Sequence, residues 1–224
     1  MRPPRMRVAL FGRSLAGIDL ATEMARAGHE VQEVSDPAEL SSFDALIIAV
    51  GDARLDAVVE LLEPHVHRGL IAIHTCLSRG VQVLDPLETR GCVVAAIAPI
   101  VTGRWAATTL DELGETIVEL IVGEFRADVV PLSDVERAPF AARVYYAEML
   151  HRLQVPAARE AEFFAPTEEW PPVNNGFDNQ EAIAAYRGAT DPGLRRSYVE
   201  VARRLGEVEG REELEMWALQ EESR

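Results

Sequence analysis

The stretch RVALFGRSLAGIDLATEMARAG, residues 7–28, decides the fold. An apolar run at residues 8–11 predicts a buried strand, and a turn with glycines at positions 12 and 17 follows it. Apolar residues then recur at helical spacing up to the glycine at position 28, which predicts a helix that ends there. A strand that turns on glycines into a helix directs free backbone N–H groups at a bound anion, and the helix dipole adds to the attraction.

The turn carries two of the three glycines of the dinucleotide fingerprint G-x-G-x-x-G, Gly12 and Gly17, with Ser14 in the middle position. A bare backbone at that position lets a pyrophosphate approach closely, and the serine adds a side chain there. The backbone N–H groups of Arg13, Ser14, Leu15 and Ala16 are candidate pyrophosphate donors, and the Arg13 side chain is a candidate counter-charge. In the alternative interpretation, the two glycines serve only the geometry and packing of a strand–helix turn.

Strand and helix patterns alternate through the first 132 residues, which predicts a doubly wound parallel sheet with helices on both faces. From residue 133 the strand-like runs stop, and the pattern predicts helices at 139–153, 179–187, 191–205 and 211–220, with a Pro-rich loop at 163–177. The sequence therefore predicts two domains, an α/β domain at residues 1–132 and a helical domain at residues 133–224.

Asp36 lies 19 residues beyond Gly17, just after the second predicted strand. This is close to the roughly 20-residue spacing of the acid that binds the ribose of a dinucleotide. A carboxylate there accepts hydrogen bonds from the ribose 2′-OH and repels a 2′-phosphate, which favours NAD over NADP. In the alternative, Asp36 simply caps the next helix, because Asp is a preferred N-cap and Pro37 suits the first helical position.

Composition excludes several kinds of partner and mechanism. The 224 residues carry a net charge of −15, so nucleic acid and anionic membranes are poor partners. The sequence has no lysine, which rules out Schiff-base chemistry, and its two cysteines show no metal-ligand spacing. No segment approaches the ~20 apolar residues of a membrane helix. We expect a cytoplasmic protein that holds no metal.

Four segments resemble a family of Rossmann-like oxidoreductases related to 6-phosphogluconate dehydrogenase, ketopantoate reductase and pyrroline-5-carboxylate reductase. They are residues 7–28, residues 45–52, the motif His74-Thr75-Cys76 and the motif Leu84-Asp85-Pro86-Leu87. The resemblance covers about the first 150 residues. It implies an NAD(P)-dependent enzyme that acts on a small carbonyl or hydroxyl compound. It also implies a helical domain that forms a homodimer and closes the site.

The resemblance further implies roles for individual residues. The turn at residues 12–17 and Asp36 would hold the cofactor, and Val50, Gly51 and Asp52 would line its nicotinamide side. His74 would assist proton transfer, and Thr75 would contact the cofactor edge or the substrate. The alternative for His74, which ends a buried strand, is a histidine whose ring nitrogens are satisfied by nearby backbone.

The sequence also departs from the family pattern. Ser14 replaces the middle glycine, Cys76 a serine and Ala98 a histidine, while Gly51 stands where relatives often carry proline. Each departure falls at the carboxyl end of a predicted strand, where a ligand of such a sheet lies. These positions support a second hypothesis, a non-catalytic scaffold or ligand-sensing homodimer that has lost dinucleotide binding.

Overall fold

The computed structural model describes residues 5–160 and 177–223, so the predicted Pro-rich loop lies outside the described residues apart from Phe177. The chain divides into two compact units, Met1–Arg137 and Ala138–Arg224. None of the helices in the described ranges is long and apolar enough to cross a membrane.

The first unit is a seven-stranded sheet with helices on both faces, in the strand order 2-1-3-4-5-6-7. The strands are β1 Arg7–Gly12, β2 Glu30–Val34, β3 Ala45–Ala49, β4 Ile71–His74, β5 Val93–Val101, β6 Arg104–Thr109 and β7 Asp128–Pro131. The helices are α1 Leu15–Ala27, α2 Asp52–Leu62, α3 Asp85–Thr89 and α4 Glu112–Glu124, with 3₁₀ turns at Pro37–Ser42, Glu63–His65 and Val81–Leu84. The predicted doubly wound fold is confirmed.

The sheet is parallel except for one antiparallel pair of strands near its edge. Strand β6 pairs antiparallel with β5 through a tight turn at Gly103, where φ is +77°, and β7 then pairs parallel with β6. The sequence of β6, RWAATT, lacks the run of large apolar residues that marks the other strands, so the pattern does not predict it. Trp105 is buried within β6, and its ring centroid lies 5.7 Å from that of Phe125.

The core lies on both faces of the sheet, and β3 is buried throughout. Leu46 and Ile48 face the cluster that includes α2 and α3, while Ile47 and Ala49 face the cluster that includes α1 and α4. A strand covered on both faces requires a continuous apolar sequence rather than an alternating one. Each large aliphatic side chain buried in this way contributes about 1.5–3 kcal/mol.

The second unit is helical, as the sequence predicts. Its helices are α5 Asp134–Glu160, which starts in the first unit, α6 Asn179–Ala185, α7 Pro192–Glu209 and α8 Glu212–Glu222. Tyr198 lies at its centre, where the hydroxyl donates to the Ala182 carbonyl at 2.6 Å. Helices α7 and α8 approach closely at Gly206, since a Cβ there would lie 2.7 Å from the Cβ of Glu215.

Candidate functional site

The carboxyl ends of β1 and β3 form the topological switch point of the sheet. From β1 the chain moves to β2 on one side, and it then returns to β3 on the other. Ligands of open α/β sheets bind in the crevice at this point. Two helices begin here, α1 after Ser14 and α2 after Gly51, and their first N–H groups have no acceptor inside the helix.

Gly12 and Gly17 are both required by the close approach of the turn to β3. Gly12 has φ +97°, and a Cβ there would lie 2.2 Å from the Ala49 carbonyl oxygen. A Cβ on Gly17 would lie 2.2 Å from the Cβ of Ala49. The two glycines therefore have the geometric and packing roles that the fingerprint assigns to its first and third positions.

Ser14 is accommodated in the middle position without strain, because its extended backbone (φ −63°, ψ 149°) suits any residue. Its N–H donates to the Ala49 carbonyl at 2.9 Å. Its Oγ accepts from the Gly17 N–H at 3.3 Å as the N-cap of α1, and it shares a hydrogen bond of 3.3 Å with Thr75 Oγ1. The N–H groups of Leu15 and Ala16, in the first turn of α1, remain as donors for an anion.

Arg13 and Asp36 both have partners within the first unit. The Arg13 guanidinium is largely exposed and pairs with the Glu33 carboxylate at 2.6 Å. The Asp36 Oδ1 accepts from the Ala38 N–H at 2.9 Å and caps the 3₁₀ turn Pro37–Ser42, as in the alternative interpretation. Glu33 is a second exposed acid near the end of β2 and lies beside Arg13. Sequence reasoning missed it because a charged residue in a strand usually just faces solvent.

The segment after β3 leaves room beside the switch point. A Cβ on Gly51 would meet no atom of the described residues within 4 Å, so the N-terminus of α2 is open. The Asp52 carboxylate accepts a hydrogen bond from Ser78 Oγ, which lies in the loop after β4. Val50 is buried, and its carbonyl accepts from the Cys76 thiol at 3.1 Å.

His74 is enclosed, and both of its ring nitrogens bond to backbone. The Cys76 N–H donates to Nδ1 at 3.3 Å, which places the ring proton on Nε2, and Nε2 donates to the Gly80 carbonyl at 3.0 Å. Burial, together with the smaller effect of the Arg137 charge, lowers the pKa of His74 to about 3. The ring is neutral at physiological pH and fully buried. This environment matches the alternative stated from the sequence, a histidine whose ring nitrogens are satisfied by nearby backbone.

The loop after β4 joins the glycine turn through Thr75. Thr75 and Ser14, 61 residues apart in the chain, come together by their hydroxyl groups, so the structure places one predicted catalytic residue beside one predicted cofactor residue. Thr75 is almost fully buried, as are Cys76 and Ala98. No group of three side chains suited to hold a metal occurs in residues 5–160 and 177–223.

Asp134 and Arg137, in the first turn of α5, also hold this loop. The Asp134 carboxylate accepts from the N–H groups of Val81 and Gln82 at 2.8 and 3.1 Å. The Arg137 guanidinium donates to the Cys76 carbonyl at 2.9 Å. Burial lowers the pKa of Arg137 to about 10, so the group stays charged at neutral pH. Sequence reasoning missed both residues because charged side chains on a helix usually face solvent.

Comparisons with known proteins place this geometry in a known fold. Residues 33–99 match the family described as a Rossmann-like domain. Similar solved structures include arogenate dehydrogenase from Synechocystis, at 13% identity with a TM-score of 0.54, covering 97% of this chain and 88% of that one. Pyrroline carboxylate reductase from Plasmodium falciparum, solved with NADP bound, gives 12% identity, a TM-score of 0.55 and coverage of 98% and 97%.

Glycerol-3-phosphate dehydrogenase from Coxiella burnetii is also similar, at 11% identity with a TM-score of 0.52 and coverage of 92% and 90%. The comparison with curated proteins finds no match. At these identities the likeness shows the fold. The resemblance expected from the sequence is confirmed at that level: the chain has a Rossmann-like domain, and the solved structures of similar fold include dehydrogenases and a reductase with NADP bound.

Proposed function

We propose that this protein is an NAD(P)-linked oxidoreductase that acts on a small carbonyl or hydroxyl compound. The dinucleotide lies across the carboxyl ends of β1, β3 and β4, with its pyrophosphate over the turn at residues 12–17. The observation that carries the proposal is the geometry of Ser14. The Ser14 hydroxyl accepts a hydrogen bond from the Gly17 N–H and shares another with the Thr75 hydroxyl. The turn therefore keeps its shape although the middle glycine is absent.

The residues at the switch point fit a dinucleotide. Leu15 and Ala16 supply N–H groups at the positive end of α1, where a pyrophosphate is favoured. The open space beside Gly51 admits the ligand on the β3 side. Glu33, near the end of β2, and Asp36, just after that strand, are both exposed. Even with Arg13 paired to Glu33, they put net negative charge where the adenosine ribose lies in this fold. This charge favours NAD over NADP.

The bound nicotinamide supplies or accepts the hydride, and the chain's own residues bind and orient. Thr75 is the candidate residue for contact with the nicotinamide edge or the substrate. Its Oγ1 lies 3.3 Å from the Oγ of Ser14, which belongs to the glycine turn. His74 holds the loop that carries Thr75 rather than exchanging protons with a ligand, since both ring nitrogens are engaged by backbone. Proton transfer to the substrate is therefore assigned to solvent or to the substrate's own groups.

The Leu15 N–H can be removed without changing the helix. Proline suits the first position of a helix, and the extended backbone of Ser14 suits a residue before proline. We expect Leu15→Pro to weaken NADH binding at least about tenfold, because a hydrogen bond to a charged group contributes about 1.5–3 kcal/mol. The measurement is a fluorescence titration of NADH and NADPH against full-length wild-type and variant protein.

Leu15→Ala is the matched control, because it shortens the same half-exposed side chain and keeps the N–H. Its dissociation constant should stay within about twofold of the wild-type value. Equal affinity of the proline and wild-type proteins would remove the pyrophosphate from this turn. No binding of NADH or NADPH by the wild type at millimolar concentration would end the oxidoreductase proposal.

The second candidate function is a non-catalytic scaffold or ligand sensor, which the enclosure of His74 and the burial of Cys76 and Ala98 favour. Ser14→Gly separates the two. In a dinucleotide-binding protein we expect the glycine to tighten NADH binding severalfold by opening the approach to the turn, at a cost of a few tenths of a kcal/mol in capping. In a scaffold, binding stays undetectable.

Ser14→Ala is the control for this change, because it removes the hydroxyl but keeps the Cβ. We expect it to leave the approach as narrow as in the wild type, so its affinity should not exceed the wild-type affinity. Equal tightening by glycine and alanine would show that the hydroxyl, not the room at the turn, limits binding.

A further inference from the structure

Arg137 is an unusual arginine, since its side chain is fully buried in the first unit. Its Nη2 donates to the Cys76 carbonyl at 2.9 Å. Its Nη1 donates to Thr108 Oγ1 at 3.1 Å and to the Ala96 carbonyl at 3.4 Å. The Thr108 hydroxyl donates its own proton to the Leu132 carbonyl at 2.7 Å, which leaves its oxygen as the acceptor for Arg137.

The guanidinium joins the loop after β4 to strands β5 and β6. Its partners are Cys76, two residues beyond the end of β4, and Ala96 and Thr108, which pair with each other across β5 and β6. These direct partners are carbonyls and a hydroxyl, and Arg137 Nε has no hydrogen-bond partner among the described residues. A buried charge whose direct hydrogen-bond partners are all neutral adds little to the stability of the fold, because its desolvation is costly. An unsatisfied buried group of this kind calls for another explanation.

The Cys76 backbone connects Arg137 to the predicted site. The Cys76 carbonyl accepts from Arg137, while the Cys76 N–H donates to His74 Nδ1. Thr75, the residue between His74 and Cys76, bonds to Ser14 of the glycine turn. Arg137 and Arg79 are the charged groups that act on His74, and both disfavour its protonation. The position of Arg137 therefore affects the whole segment.

We propose that Arg137 is a positioning residue which, from the first turn of α5, fixes the Cys76 backbone. Through that backbone it holds His74 in its neutral Nε2–H form and holds the Thr75 hydroxyl beside the glycine turn. The role of Thr75 toward a ligand rests on the proposed function. The effect of Arg137 on His74 does not, so the two can be tested separately.

The test compares Arg137→Met and Arg137→Lys with Arg143→Met, the same change at an exposed position of α5. The readouts on the full chain are the ¹⁵N signals and titration midpoint of the His74 ring by NMR, and the NADH dissociation constant. We expect Arg137→Met to shift the ring signals, raise the His74 midpoint and weaken NADH binding at least tenfold. Lysine keeps the charge without the guanidinium fork, so it should alter the ring signals less. Arg143→Met should match the wild type.

A merely structural role gives a different result. If Arg137→Met lowers the denaturant midpoint while the His74 signals and the NADH affinity of the folded protein stay unchanged, the proposal is overturned. If the methionine variant does not fold, Arg137→Lys decides by the same two readouts, with unchanged values overturning the proposal. If the wild type binds neither NADH nor NADPH, the proposed function fails. The His74 signals then decide the role of Arg137 alone.

Discussion

His74→Ala is expected to lower the free energy of unfolding by about 3–5 kcal/mol. The change removes a fully buried ring and leaves the Gly80 carbonyl and the Cys76 N–H without their partners. Each buried polar group left unpaired costs about 1–3 kcal/mol, and the cavity adds to this loss. Such a loss is a large share of a total stability of about 5–15 kcal/mol. Urea or thermal unfolding followed by circular dichroism measures it.

The control is His65→Ala, which truncates an exposed histidine of the same unit and should change stability by less than about 0.5 kcal/mol. A proton-transfer role for an accessible His74 gives the opposite pattern. Turnover would fall, while the unfolding free energy would stay within about 1 kcal/mol of the wild type. That outcome would contradict the enclosed ring described above.

The second large effect is a loss of stability in mild acid that depends on His74. Its pKa is about 3 in the folded protein and near the ordinary 6.5 once unfolded. The folded pKa is the lower of the two, so stability from the neutral ring is present above pH ~6.5 and is lost as the pH falls toward 3. Below pH ~6.5 only the unfolded state takes the proton, at up to about 1.4 kcal/mol per pH unit. Between pH 6 and 4 the loss is about 2.5 kcal/mol.

Carboxylates also titrate in this range, so the measurement is a difference between proteins. His74→Gln cannot titrate, and its amide can still donate toward the Gly80 carbonyl. We expect its unfolding free energy to fall by about 2.5 kcal/mol less than that of the wild type between pH 6 and 4. His65→Gln should follow the wild-type curve. Parallel curves for wild type and His74→Gln would mean that His74 is protonated in the folded state.

Most of the fold was predictable because local patterns and burial agree. Residues 45–50 form a continuous apolar run because β3 is covered on both faces, and the helices of the second unit follow their apolar periodicity. Strand β6 was not predictable, because Ala106 and Ala107 fill narrow space in the core without the large side chains that mark a strand. Its direction depends on the turn at Gly103, which the strand pattern does not describe.

The candidate site was predictable only where one segment contains the information. The strand, turn and helix of residues 7–28 are local, and the fingerprint spacing indicates their role. Two hydrogen bonds, one between Ser14 and Thr75 and one from Arg137 to the Cys76 carbonyl, each join residues 61 positions apart. No sequence motif predicts contacts at that separation. His74 looked like a strand-end acid or base, and only the carbonyl of Gly80 and the N–H of Cys76 show how it is enclosed.

The first turn of α5 also decides where the chain can be divided for separate expression. The sequence pattern changes at residue 133, yet Asp134 and Arg137 belong by their contacts to the sheet unit. A fragment cut at residue 132 would contain all seven strands of the sheet described above and still lack the acceptor for the Val81 N–H and the donor for the Cys76 carbonyl. A usable fragment of the sheet unit must therefore carry several turns of α5 beyond Arg137, enough to keep that arginine helical.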